Sequence, residues 1–138
     1  MRDEAWVRPG YRDLVAWQKA MKLVSAIYRA TEAFPARERY GPTNQVCRAA
    51  VAIPSDIAEG KGRISKKEYV QMLARARGSS YEVQTQLEVA FNLDFLDRKA
   101  FDVLSEQAAE VGRLLNGLIT KTQAQITAEE TNRKLPKS

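Results

Sequence analysis

The stretch QVCRAAVAIPSDIAEGKGRISKKEYVQMLARAR, residues 45–77, decides how this chain folds. Val46, Ala50, Ile53 and Ile57 recur at spacings of four, three and four, the period of one helix face. Gly60 and Gly62 then end the pattern, since glycine readily takes the conformations that follow a helix. Ser65 and Glu68 come next as S-K-K-E, a capping box whose side chains satisfy the first free backbone N–H groups of a new helix. From there a longer seam runs through Tyr69, Leu73, Ala76, Ser80, Val83, Leu87 and Ala90. The stretch is therefore the joint between two helices. Pro54 lies inside the first of them, where it forfeits a bond to the Ala50 carbonyl at a cost of about 3 kcal/mol. Because the seam keeps its phase from Ile53 to Ile57, a kinked but continuous helix is expected.

Working outward, the same period appears on both sides. Upstream, Leu14, Trp17, Met21, Val24 and Tyr28 alternate spacings of three and four, and Ala20, Leu23 and Ile27 widen that face. Asp13 is placed to cap this helix, and Pro35 should stop it near Phe34. The polar connection PARERYGP leads to Pro42, which suits the first turn of the next helix. Downstream, Asp97 is a good cap for a last helix carrying Phe101, Leu104, Ala108, Val111, Leu115 and Leu118. The pattern predicts helices over about 13–34, 42–60, 66–94 and 98–126. Residues 1–12 read as a flexible arm, because Pro9-Gly10 is a turn pair and no period precedes it. Residues 127–138, polar and aperiodic, read as a disordered tail. Four helices with short connections imply an all-α, antiparallel up-down-up-down four-helix bundle spanning 13–126.

Composition narrows the function. The chain of 138 residues is long enough to bury a single core without staples. Its lone Cys47 can form no intramolecular disulfide, and its apolar neighbours point to a small core residue rather than a nucleophile. There is no histidine, which removes the usual general base at neutral pH and the histidine-containing metal sites. The charged first residues resemble no secretion signal, and no apolar run approaches the ~20 residues of a membrane span. A soluble cytoplasmic protein without a cofactor is expected.

Two constellations stand out. Lys61, Arg63, Lys66, Lys67, Arg75 and Arg77 face one acid, Glu68, so this short segment alone carries the net charge of +5 that the whole chain shows. It reads either as a solvated surface or as a contact for phosphate backbones, and the aromatics read as core residues, so recognition of sequence is not expected. The second is a polar stripe: Gln45, Arg48, Ala52, Asp56 and Glu59 share one helix face, and Ser79, Glu82 and Gln86 form a matching line on the next helix. Asp56, Glu59 and Glu82 could in principle bind a metal or do acid–base work. A buried or interfacial hydrogen-bonded network of Gln45, Arg48, Asp56, Glu59, Glu82 and Gln86, with Arg48 paired to Glu82 or Glu59, is the preferred reading. Within the third helix, Gly78-Ser79-Ser80 suggests close approach of another helix, preferably from a neighbouring subunit. Trp17 reads as core, and Trp6 as an arm residue that docks on a neighbour.

These residues resemble a known family, the small four-helix bundle proteins encoded in intervening sequences of bacterial 23S rRNA genes, to which the accessory variability protein of diversity-generating retroelements is related. The likeness covers about residues 11–120 and rests on YRDLVAWQKA (11–20), Phe34-Pro35, Tyr40-Gly41, QVCRAAVAIPSDIAEGKGR (45–63) and GSSYEVQTQL (78–87). Ala52, Asp56 and Gln84 depart from the serine, asparagine and glutamate more usual there. The resemblance implies a ring-shaped homopentamer, a positively charged surface and no catalytic activity. For the retroelement member it implies association with nucleic acid and a reverse transcriptase. The expected function is thus a non-enzymatic oligomeric accessory factor that binds RNA or DNA backbones. The alternative is a protein–protein interaction module that docks an acidic partner.

Overall fold

The computed structural model describes residues 10–136, and among them are four α-helices and no strand. A short 3-10 turn, Gly10–Asp13, leads into α1 (Val15–Thr31); α2 spans Pro42–Lys61, α3 Lys66–Asn92 and α4 Arg98–Lys134. The four pack around one core, with α1 against α2 and α4, and α3 against α2 and α4. At its centre Leu23, Ile27, Ile53, Ile57, Leu73, Val83, Val111 and Leu115 are fully buried. The burial of each such side chain contributes roughly 1.5–3 kcal/mol. No helix among the described residues is long and apolar enough to cross a membrane.

Local chemistry explains most boundaries. The Ser65 hydroxyl accepts from the Glu68 amide at 3.1 Å, and the Asp97 carboxylate from the Ala100 amide at 2.8 Å. These are the N-caps the sequence signals. Pro42 opens α2, and α2 continues through the buried Pro54 without a break. At α1 the expectation shifts. Leu14 occupies the N-cap position and offers no side-chain cap, while Asp13 belongs to the preceding turn. The helix stops at Thr31, where the Ala33 and Phe34 amides fold back onto the Ala30 and Thr31 carbonyls.

Two corrections are larger. The core line of α1 is Ala16, Ala20, Leu23, Ile27 and Thr31. The line expected to be the seam lies beside it: Trp17 and Val24 are half-buried, and Met21 and Tyr28 are 42% and 49% exposed. Both lines recur at the same spacing, and period alone cannot say which edge of a wide apolar arc meets the core. At the other end, α4 does not stop at Ile126. It runs to Lys134, so residues 127–134 are helical rather than a disordered tail. There Glu129 and Glu130 meet Lys66 and Lys67 at the start of α3. Of the expected arm, residues 10–12 form part of the 3-10 turn, with Tyr11 edge-on to Trp17 at 5.2 Å. Trp6 lies outside the described residues.

Candidate functional site

The basic segment Lys61–Arg77 is held by the α2–α3 joint. The joint is tight because Gly60 is buried against α3, where a side-chain carbon would stand 2.7 Å from the Met72 Cβ. Each of its six cations already has a neighbour. Lys61 lies 5.5 Å from the centre of the Tyr69 ring. Arg63 donates to Glu59 at 2.6 Å, Lys66 pairs with Glu129, and Lys67 with Glu130 at 3.2 Å. Arg77 donates to Asn116 Oδ1 at 2.9 Å, and Arg75 to the Met72 sulfur at 3.9 Å. Arg75 also acts electrostatically on Asp56. Three of the six cations are thus ion-paired to carboxylates, Glu59, Glu129 and Glu130, two of which come from the far end of the chain. The segment that looks strongly basic in sequence is partly ion-paired in space. Such exposed pairs contribute about 0.2–1 kcal/mol each and are screened by salt.

The polar stripe divides. Gln45, Arg48 and Glu82 come together on the walls of an open cleft of about 590 Å³ between α2 and α3, with Tyr40 and Asn44 at its rim and Ala49, Ala52 and Ser79 also lining it. Gln86 supports the cleft from outside it, its amide donating to Glu82 at 3.4 Å. Asp56 and Glu59 face elsewhere, toward Arg75 and Arg63. Burial raises the Asp56 carboxyl above its ordinary value; Arg75 pulls it down and Glu59 pushes it up again. Burial likewise raises the Tyr69 phenol, whose hydroxyl has no hydrogen-bond partner.

Within one chain the polar-stripe residues do not form a single buried network, which leaves the interfacial form of that reading. Gln45, Arg48, Glu59 and Glu82 are exposed in the single chain, and no ion pair among the described residues joins Arg48 to Glu82 or Glu59. Among the described residues no three acidic or cysteine side chains converge as a metal-binding group, and Asp56, Glu59 and Glu82 do not meet. Gly78 is exposed, with open space for 4 Å around the point where a side-chain carbon would stand. The close approach of α4 falls instead at Gly112, where a side-chain carbon would stand 3.4 Å from the buried Ser80 hydroxyl.

Three residues escaped the sequence reading. Glu129 and Glu130 continue the three-to-four spacing of Ile119, Thr122 and Ile126 into a run of good helix formers, and that signal was available. Tyr40 had none. It sits in an aperiodic connection, yet it is 88% exposed, and Tyr28 and Tyr81 are also exposed, so the aromatics are not all core residues. A further surface feature is apolar. Met21 and Val51 are exposed on α1 and α2, and with Trp17, Val24 and Pro54 they line a groove of about 370 Å³.

These features define the class: a small all-α protein of four helices with an open polar cleft on one side and an apolar groove on another. The chain belongs to the family described as 23S rRNA-intervening sequence protein, whose model matches residues 12–117. A similar solved structure is a protein of unknown function from the S23 ribosomal protein family of Bacteroides thetaiotaomicron. It is 18% identical, with a TM-score of 0.69, over 76% of this chain and 98% of that one. At that identity the likeness is one of fold. No curated protein matches the chain.

Proposed function

We propose that this protein is a non-enzymatic, cytoplasmic accessory factor, an antiparallel bundle that assembles with copies of itself and associates in that form with nucleic-acid backbones. The observation that carries the proposal is the apolar groove on the outer face of α1 and α2. The exposed Met21 and Val51, with Trp17 and Val24 that pack partly against the core, form an apolar strip at the surface. Contiguous exposed apolar surface of this kind marks an interaction site. The helix directions are supported by cross-helix pairs: along α3, Lys66, Arg77 and Phe91 meet Glu129, Asn116 and Phe101 of α4.

Assembly also bears on charge. Within one chain three of the Lys61–Arg77 cations are already ion-paired, which moderates the field of that segment. A net charge of +5 per copy becomes about 25 in the five-membered ring that the family resemblance implies, enough to draw phosphate backbones by counterion release. The names of the family and of the solved relative, which refer to ribosomal RNA and to a ribosomal protein, agree with that direction. The test measures mass by light scattering and RNA binding at roughly 50 and 200 mM salt. Wild type is expected as an oligomer whose RNA affinity falls steeply with salt, and Met21→Glu with Val51→Glu as a folded monomer with weak binding. A wild-type monomer, or binding that ignores salt, overturns the proposal.

A further inference from the structure

The α2–α3 cleft holds chemistry that backbone binding does not use. We infer that it is a binding site for an unpaired guanine base, with Tyr40 stacking on the ring, Glu82 accepting from its N–H edge and Arg48 holding the attached phosphate.

Three observations lead there. The cleft has a floor of small residues, Ala49, Ala52 and Ser79, so it is concave without any large side chain filling it. Its volume of about 590 Å³ falls within the range of small-molecule sites, roughly 300–1,000 Å³. Second, its polar groups are uncommitted. Among the described residues Arg48, Asn44 and Gln45 make no side-chain hydrogen bond, and Glu82 receives only the long contact from Gln86. Third, Tyr40 presents an almost fully exposed ring at the rim, and a flat aromatic face is what unpaired bases stack on.

The charges choose the ligand. Arg48 on one wall and Glu82 on the other give the cleft one charge of each sign, which suits a ligand that carries N–H donors together with a phosphate rather than a phosphate alone. A carboxylate selects a ligand that offers paired N–H donors. Among the bases, guanine offers them, through N1–H and the exocyclic amine, while adenine presents an acceptor at N1. Asn44 and Gln45 add amides that reach base or sugar. The base can come from a free nucleotide or from an unpaired RNA strand; the chemistry recognised is the same.

This deepens the nucleic-acid association proposed above by naming the part of the molecule that one cleft reads. The test titrates guanosine 5′-monophosphate and adenosine 5′-monophosphate by calorimetry. In parallel it titrates an RNA hairpin with guanines in its loop and the same guanines in a fully paired stem. Wild type, Tyr40→Ala and Glu82→Gln are compared; both side chains are exposed, and circular dichroism confirms the fold. The expected result is preference for guanosine monophosphate and for the unpaired hairpin, with a loss of about tenfold or more in Glu82→Gln. RNA binding that is the same for paired and unpaired guanines, or unchanged in both variants, overturns the inference and leaves backbone association standing. Guanosine monophosphate binding without RNA binding upholds the cleft and overturns the association. Absence of both overturns both.

Discussion

Replacing Gly60 with alanine tests whether the α2–α3 joint is held by contact or by local preference. Alanine is the better helix former by up to about 1 kcal/mol, so local preference says that the variant is more stable. The packing says the opposite. The new carbon would lie 2.7 Å from the Met72 Cβ and 3.1 Å from Tyr69 Cδ1. A Cβ cannot swing aside as a side-chain tip can, so α2 and α3 must move apart where they are joined by only four residues. Overpacking of this kind costs typically 1–3 kcal/mol. The net expectation is a loss of about 1–2 kcal/mol, or roughly 5 °C in Tm for a chain of this size. Gly78→Ala is the internal control, since it is helical, exposed and has open space around it. It should gain about 0.5–1 kcal/mol. Urea unfolding followed by circular dichroism, at one fixed protomer concentration, measures both. Gly60→Ala as stable as wild type would refute the reasoning, because the close approach would then carry no constraint.

Lys66→Glu with Lys67→Glu should release the last turns of α4, seen as faster amide exchange over residues 127–134, with less than about 2 kcal/mol lost globally. Unchanged exchange there would show that the ion pairs do not hold this segment helical. Since burial raises the Asp56 carboxyl in the folded state, its ionised form costs stability at neutral pH, and that cost is relieved as pH falls toward about 4. Asp56→Asn should therefore match or exceed wild type at pH 7 and lose this part of the acid-side gain; identical pH profiles would contradict it. Ser65→Ala removes the acceptor for the Glu68 amide and should cost about 1 kcal/mol by thermal unfolding, whereas no loss would mean that the cap is idle.

Much of the fold was legible because helices announce themselves locally. The seams of α2 and α3, the caps Ser65 and Asp97, and Pro42 at a helix start are written within a few residues of where they act. What misled was anything decided by a partner distant in the chain. Leu23 and Met21 are equally apolar and similarly spaced, and only the position of α2 and α4 sends one inward and leaves the other at 42% exposure. The ion pairs of the basic segment 61–77 were hidden for the same reason, since Glu129 and Glu130 lie more than sixty residues from Lys66 and Lys67 in sequence.

The sequence by itself determined four helices, their approximate ends, the lack of histidine chemistry and the family resemblance. All of these follow from residue type and spacing along one strand of chain. Tertiary structure alone decided that Tyr40 stands free beside Arg48 and Glu82, that Gly112 rather than Gly78 admits a neighbouring helix, and that part of the concentrated charge is met by carboxylates. Those outcomes depend on distances across helices, which periodicity within a helix does not encode.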